Sequence, residues 1–360
     1  MTETAKKKMS KAKKILIAVV AIVVTLLIVV DVAVSGYLVN YAIGRGGDGA
    51  DRNVEEIVFV EPEGTEARIE ANRAAQALET AEFLRQVPAE HVEITADDGI
   101  HLVGIVYEYQ NERDTSSQTD SAELASESTF ETPNSNLWAL VVHGYRSSNQ
   151  SAYILDMAQH YYDAGFNVLT PDLRASGDSE GDYVGMGWLD RLDILDWIDW
   201  ILEQDSDAQI VIHGVSMGAA TTMMVAGEET PAAVVAFVED CGYTSVWDVF
   251  ATELSLRFGL PEFPLLYSAS AMSDAMAGYS FEEASALEAV ARSDKPMLFI
   301  HGTADDFIPF DMMGQLYDAK TTGDKEMLVS DGAGHAEAMY ELSDAYWDAV
   351  FSFIDRYIKQ

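Results

Sequence analysis

The chain has 360 residues, is 48% hydrophobic and 10% aromatic, and sets 60 Asp and Glu against 22 Lys and Arg, a formal net charge of −38 at pH 7. Such a charge repels nucleic acid and anionic headgroups, so no nucleic-acid partner is expected; it reads as a solubility device. One cysteine, Cys241, excludes an internal disulfide, and the seven histidines lack His-x-His or His-x-x-x-His spacing, so no structural metal is expected; the site read below needs no metal or organic cofactor.

Six of the lysines (Lys6, Lys7, Lys8, Lys11, Lys13, Lys14) fall in residues 1–14, a basic tail expected in the cytoplasm. Residues 15–30 are uncharged and almost wholly aliphatic, broken only by Thr25. As a helix they span about 24 Å, short of the ~30 Å hydrocarbon core. Snorkelling by Lys13 and Lys14, or extension with Asp31 near the outer interface, closes the gap. Residues 15–35 are therefore read as a transmembrane anchor with the remainder of the chain outside, and Tyr37 and Tyr41 suit headgroup depth. A cleaved signal peptide is the rival reading, because Ala33-Val34-Ser35 loosely fits a cleavage site.

Residues 36–64, rich in Gly and then in Glu and Pro, read as a linker. Apolar spacing at Ile69, Ala74, Ala77, Leu78, Ala81 and Leu84 predicts a helix over 65–86, ending before Pro88. Strands are expected at 92–95 and 101–109 around the turn signal Asp97-Asp98-Gly99. Residues 111–136, rich in Ser, Thr, Asp and Glu and without apolar periodicity, read as an acidic loop insertion. Strands at 137–142, 166–170, 209–213, 233–239, 297–301 and 326–329 then alternate with helices at 151–164, 188–202, after Ser216, and 336–357. Alternation of this kind specifies a mostly parallel central sheet with helices on both faces, the opening hairpin adding antiparallel strands at one edge. No strand is expected between 241 and 296. Its aromatic and aliphatic residues, among them Trp247, Phe250, Leu254 and Phe258, suit a short helical lid over 242–290, because ligands bind beyond the carboxyl ends of such strands.

The most informative stretch is the apolar run ending in Gly214-Val215-Ser216-Met217-Gly218, between an expected strand and an expected helix. Gly-x-Ser-x-Gly in that context is a nucleophile elbow, a turn so tight that the serine's neighbours are glycines. Ser216 is the candidate nucleophile and needs a base oriented by a carboxylate. With chain order serine, acid, histidine, only His301 and His335 follow Ser216. His335 lies in a glycine-rich loop after the final strand and is the expected base. Asp305, in the loop after the preceding strand, is the expected acid, with Asp306 and Asp240 as competitors. His301 is expected to tie down the acid loop. The oxyanion hole needs two backbone N–H groups, for which Met217 and Tyr145 are the candidates.

These features together resemble the α/β-hydrolase superfamily over residues 90–360, nearest to its bacterial, often membrane-anchored serine hydrolases related to dienelactone hydrolases and prolyl-oligopeptidase-type peptidases. The resemblance is carried by His143-Gly144-Tyr145 and by the segments 171–181, 213–219, 240–245, 301–309 and 332–335. It implies an α/β-hydrolase fold, the triad Ser216, Asp305 and His335, oxyanion donors Met217 and Tyr145, and structural roles for Arg174 and Ser179. The acidic insertion departs from the family pattern. The expected activity is hydrolysis of a small-molecule carboxylic ester, with a serine aminopeptidase or acyltransferase on the same triad, or a non-catalytic anchored binding protein, as alternatives.

Overall fold

A computed structural model describes residues 10–46, 64–110 and 135–359. Residues 1–9 of the basic tail, 47–63 of the expected linker and 111–134 of the acidic insertion lie outside these. Eight strands, β1 (Glu90–Thr95), β2 (His101–Tyr107), β3 (Leu137–Val142), β4 (Asn167–Pro171), β5 (Gln209–Val215), β6 (Val234–Asp240), β7 (Met297–Gly302) and β8 (Lys325–Ser330), form one sheet in the order β1-β2-β4-β3-β5-β6-β7-β8. The six strands from β4 to β8 run parallel, and the β1–β2 hairpin joins antiparallel on β4. The helices are α1 (Lys11–Ile43), α2 (Thr65–Gln86), α3 (Ala152–Asp163), α4 (Asp190–Gln204), α5 (Met217–Ala226), α6 (Val246–Phe258), α7 (Leu265–Ala277), α8 (Ala286–Arg292), α9 (Asp311–Ala319), α10 (Ala338–Leu342) and α11 (Asp344–Ile354).

The period of two along each strand divides the core. Trp138, Leu140 and Val142 of β3 join Ile210 and Ile212 in a cluster covered by α4, α5 and α8. Ala139 and Val141 join Val211 and Ala236 in a second cluster, under α3 and α11, on the other face. Every residue of α5 is buried, which its small Gly, Ala and Thr residues permit. Strand order reverses at β3, whose neighbours are β4 and β5, so the crevice of the switch point opens beyond the carboxyl ends of β3 and β5.

Four elements differ from the sequence reading. Residues 36–43, expected as linker, continue α1, because there the helix acquires a packing partner in α7. Ser268 Oγ donates to Asp31 Oδ2 at 2.5 Å and Ser35 Oγ to the Leu265 carbonyl at 3.3 Å. The missing side chain of Gly36 makes room for Met272, whose Cε would lie 2.8 Å from a Cβ there. In α2 the expected apolar stripe faces outward apart from Ile69; Leu78 is 75% exposed. Polar pairing sets the phase instead: Thr80 Oγ1 donates to Asp156 Oδ1 at 2.6 Å and Asn72 Nδ2 to the Tyr340 carbonyl at 2.7 Å, with Phe83 buried beside them. The final helix is split, as Ser343 at φ 50° redirects the chain so that Tyr340 reaches Asp156 (2.6 Å) and Tyr346 reaches Asp240 (2.8 Å). Helix α9, absent from the sequence reading, crosses between β7 and β8, as parallel strands require.

Candidate active site

The turn between β5 and α5 has no room for side chains beside the serine. A Cβ on Gly214 would lie 2.0 Å from the Gly218 carbonyl oxygen, and one on Gly218 would lie 2.1 Å from that of Val142. Ser216 itself is held at φ 59°, ψ −119°, a strained conformation for a residue with a side chain. Its N–H donates to the Asp240 carbonyl at 2.8 Å, which pins the elbow to the end of β6. The side chain is thereby raised at the N-terminus of α5, where the helix dipole favours negative charge.

His335 and Asp305 reach the same point from the ends of β8 and β7. His335 Nε2 is 2.8 Å from Ser216 Oγ, and His335 Nδ1 is 2.8 Å from Asp305 Oδ2. Asp305 Oδ1 accepts the N–H groups of Phe307 and Ile308, each at 2.8 Å, so one carboxylate oxygen is fixed by its own loop and the other faces the imidazoles. Burial alone would raise the Asp305 carboxyl. The facing His335 and His301 rings outweigh it and hold the carboxyl far below the usual carboxylate range. An ionised Asp305 requires N–H on His335 Nδ1, which leaves Nε2 to accept the Ser216 hydroxyl proton.

The competing acids are placed otherwise. Asp306 is exposed. Asp240 is buried and accepts the Tyr346 hydroxyl at 2.8 Å; burial pushes its carboxyl up to about 6. His301 lies 3.1 Å from Asp305 Oδ2 and 3.0 Å from the Ile308 carbonyl, bracing the acid loop; burial would lower this ring, but its bond to Asp305 raises it. His143 donates from Nδ1 to the Gly144 carbonyl (2.8 Å) and accepts the Leu173 N–H at Nε2 (3.0 Å), so it is a neutral clamp between two loops. His213 sits between the hydroxyls of Tyr161 and Tyr346, and burial lowers it to about 3. Among the described residues one possible ligand cluster for a cation combines Cys241, Asp305 and His335, but both ring nitrogens of His335 are engaged by Ser216 and Asp305.

The loop after β3 packs directly on Ser216: a Cβ on Gly144 would lie 3.3 Å from Ser216 Cβ. Tyr145 and Met217 both line the pocket beside Ser216. Tyr153, which sequence reasoning missed, accepts the Gly144 N–H at 2.7 Å and donates to Ser147 Oγ at 2.9 Å, fixing that loop. A lone tyrosine in a helix carries no sequence signal for this. Arg174 grips Asp193 through Nε (2.8 Å) and Nη2 (2.5 Å), and Ser179 Oγ joins the Asp172 carbonyl to the Val103 N–H; both organise the loop after β4.

The pocket above Ser216 encloses about 830 Å³ of empty space, counting its open mouth. Val249 and Leu254 of α6 and Leu266 of α7 form one wall, and Leu38, Val39 and Ala42 of α1 form another. That second wall was not legible in the sequence. Two arginines hold it in place: Arg146 Nη2 donates to the carbonyls of Tyr41 and Gly44 (3.1 Å each), and Arg45 donates to those of Ser179 (2.6 Å) and Gly177 (3.0 Å).

An eight-stranded, mostly parallel sheet with a strand-turn-helix serine at its switch point defines an α/β-hydrolase. The prolyl oligopeptidase family model matches residues 153–360, and the chain belongs to that family. It is 30% identical over 196 residues to the uncharacterized protein YqkD of Bacillus subtilis, an alignment covering 54% of this chain and 64%, under two thirds, of that one. In fold it is similar to the Pyrococcus furiosus esterase Pf2001 (TM-score 0.58, 21% identity, 75% of this chain and 93% of that one). It is likewise similar to the Pyrococcus horikoshii acylaminoacyl peptidase (TM-score 0.53, 16% identity, 78% of this chain and 44% of that one). The chain is thus a member of this superfamily, and among the described residues one helix, α1, is long and apolar enough to cross a membrane.

Proposed function

We propose that the protein is a membrane-anchored serine hydrolase that cleaves carboxylic esters through an acyl-enzyme. The observation that carries this reading is the relay of two 2.8 Å contacts from Ser216 Oγ through His335 to Asp305. His335 Nε2 takes the Ser216 proton as Oγ attacks the ester carbonyl. The backbone N–H groups of Met217 and Tyr145 receive the developing oxyanion, and His335 returns the proton to the leaving alcohol. Water, deprotonated by His335, then attacks the acyl-enzyme and frees Ser216 with release of the acid. Glu253, the acidic residue of the pocket wall, is committed to Arg257, which favours an apolar acyl group over a charged peptide end.

Residues 242–290, carrying α6 and α7, act as the lid. The helix α1 serves as a retained single-pass anchor with a cytoplasmic N-terminus and the hydrolase domain, residues 65–360, outside. Lysines at the start of α1 support the orientation. The Asp31–Ser268 and Ser35–Leu265 bonds support retention, since cleavage near residue 35 would sever both from the domain they join. A fluorophosphonate probe tests the reading: wild type is labelled and Ser216→Ala is not. Labelling that persists in Ser216→Ala, or folded wild type that resists the probe, overturns it. Turnover of p-nitrophenyl esters against aminoacyl-anilides separates esterase from peptidase.

A further inference from the structure

We propose that the substrate is the acyl ester of an uncharged or zwitterionic membrane lipid, which enters the site sideways from the bilayer, with α1 forming part of its acyl pocket. This rests on the serine-hydrolase reading and specifies the substrate class of that site. The observation behind it is continuity along one helix. From Ile15 to Val30 the apolar side chains of α1 are exposed, and none of the described residues buries them. At Asp31 the contacts with α7 begin, and by Leu38, about two turns further on, the helix lines the pocket beside Ser216. The surface that faces lipid therefore becomes the wall of the site without an intervening polar stretch longer than Asp31 and Ser35.

The corner between α6 and α7 extends that surface. Phe263 is 73% exposed and Tyr267 53% exposed, with Leu260 and Phe258 also open. This corner is fixed at the height where α1 leaves its bare apolar stretch, because Ser35 bonds Leu265 and Asp31 bonds Ser268. Aromatic and aliphatic side chains at that height face the acyl and headgroup boundary of a bilayer that α1 spans. A water-soluble short ester uses neither this corner nor a pocket with an anchor helix in its wall. The charge narrows the class further. A net −38 repels anionic headgroups, and the charged side chains of the pocket wall, Glu253 and Arg257, neutralise each other.

The test uses the full chain in phosphatidylcholine vesicles containing monooleoylglycerol, compared with p-nitrophenyl butyrate in the same suspension. Wild type is expected to hydrolyse the oleoyl ester in the bilayer. Phe263→Asp, a substitution at an exposed position that leaves the fold intact, is expected to lower the oleoyl-to-butyryl ratio of kcat/KM at least tenfold. Ala42→Trp, which fills the pocket from the α1 side, is expected to do the same. The proposal is overturned if wild type cleaves the butyryl ester but not the oleoyl one, or if the ratio is unchanged in Phe263→Asp. A folded wild type that cleaves neither ester yet is labelled at Ser216 by fluorophosphonate overturns the lipid assignment alone. Failure of labelling as well removes the hydrolase reading beneath it.

Discussion

Asp305→Asn isolates the proposed role of the acid with little change of shape. In the native loop Asp305 Oδ1 accepts two backbone N–H groups at 2.8 Å, so the asparagine oxygen must take that position. Rotating the amide would aim its NH2 at two donors. The NH2 therefore faces His335 Nδ1, where the carboxylate oxygen stood 2.8 Å away. Two donors cannot share a hydrogen bond, so Nδ1 must become the acceptor and the ring proton must move to Nε2. Nε2–H can then only donate to Ser216, and the base is lost. Replacing the acid by its amide in a serine–histidine–acid relay lowers kcat by about 10⁴, or about 5.4 kcal/mol in the barrier. The assay is kcat on a p-nitrophenyl ester alongside thermal unfolding of the same sample. Asp240→Asn is the paired control, since that carboxyl pairs with Tyr346, and it should cost less than about tenfold. A folded Asp305→Asn enzyme that keeps more than a tenth of wild-type kcat, or a larger loss in Asp240→Asn, would exclude Asp305 as the group that orients His335.

Tyr153→Phe removes the hydroxyl that holds the Gly144 N–H and should lower kcat by about tenfold, equivalent to about 1.4 kcal/mol, with the fold retained by circular dichroism. Gly218→Ala should abolish the accumulation of folded protein, since its Cβ would sit 2.1 Å from the Val142 oxygen. Gly314→Ala, inside α9 where a Cβ meets nothing within 4 Å, should instead stabilise by about 0.5–1 kcal/mol in denaturant unfolding. Burial pushes the Glu239 carboxyl up to about 8 from 4.5, so the folded protein holds a proton that the unfolded chain releases. Its contribution is full below about pH 4.5 and declines as pH rises towards 8; Glu239→Gln should narrow the difference in Tm between pH 5 and pH 8.

The strand-and-helix alternation was legible because a parallel sheet buries both faces, and its continuous apolar runs stand out between glycine-rich turns. The elbow was legible because its two glycines are a steric necessity. His335 and Asp305 could be selected by chain order, and they lie together because each ends a neighbouring strand, β8 and β7. What stayed hidden depends on tertiary partners. Residues 36–43 precede the glycines at 44, 46, 47 and 49 and read with them as linker, but they continue the helix by packing on α7. The phase of α2 follows a hydrogen-bond network with α3 and α10 rather than its own leucines. Helix α9 has glycine at its centre and only Met312, Met313 and Leu316 as buried anchors, too faint a stripe for its period. The α1 wall of the pocket is held by packing on α7 and by Arg45 and Arg146, whose partners are backbone carbonyls that any sequence supplies.

Mass spectrometry of the protein quenched during turnover of a p-nitrophenyl ester shows whether Ser216 carries the acyl group. One acyl group is expected on the peptide containing Ser216, accumulating at the rate of the nitrophenol burst and absent from Ser216→Ala. Acyl transfer to another residue, or steady turnover by Ser216→Ala, would rule out Ser216 as the nucleophile.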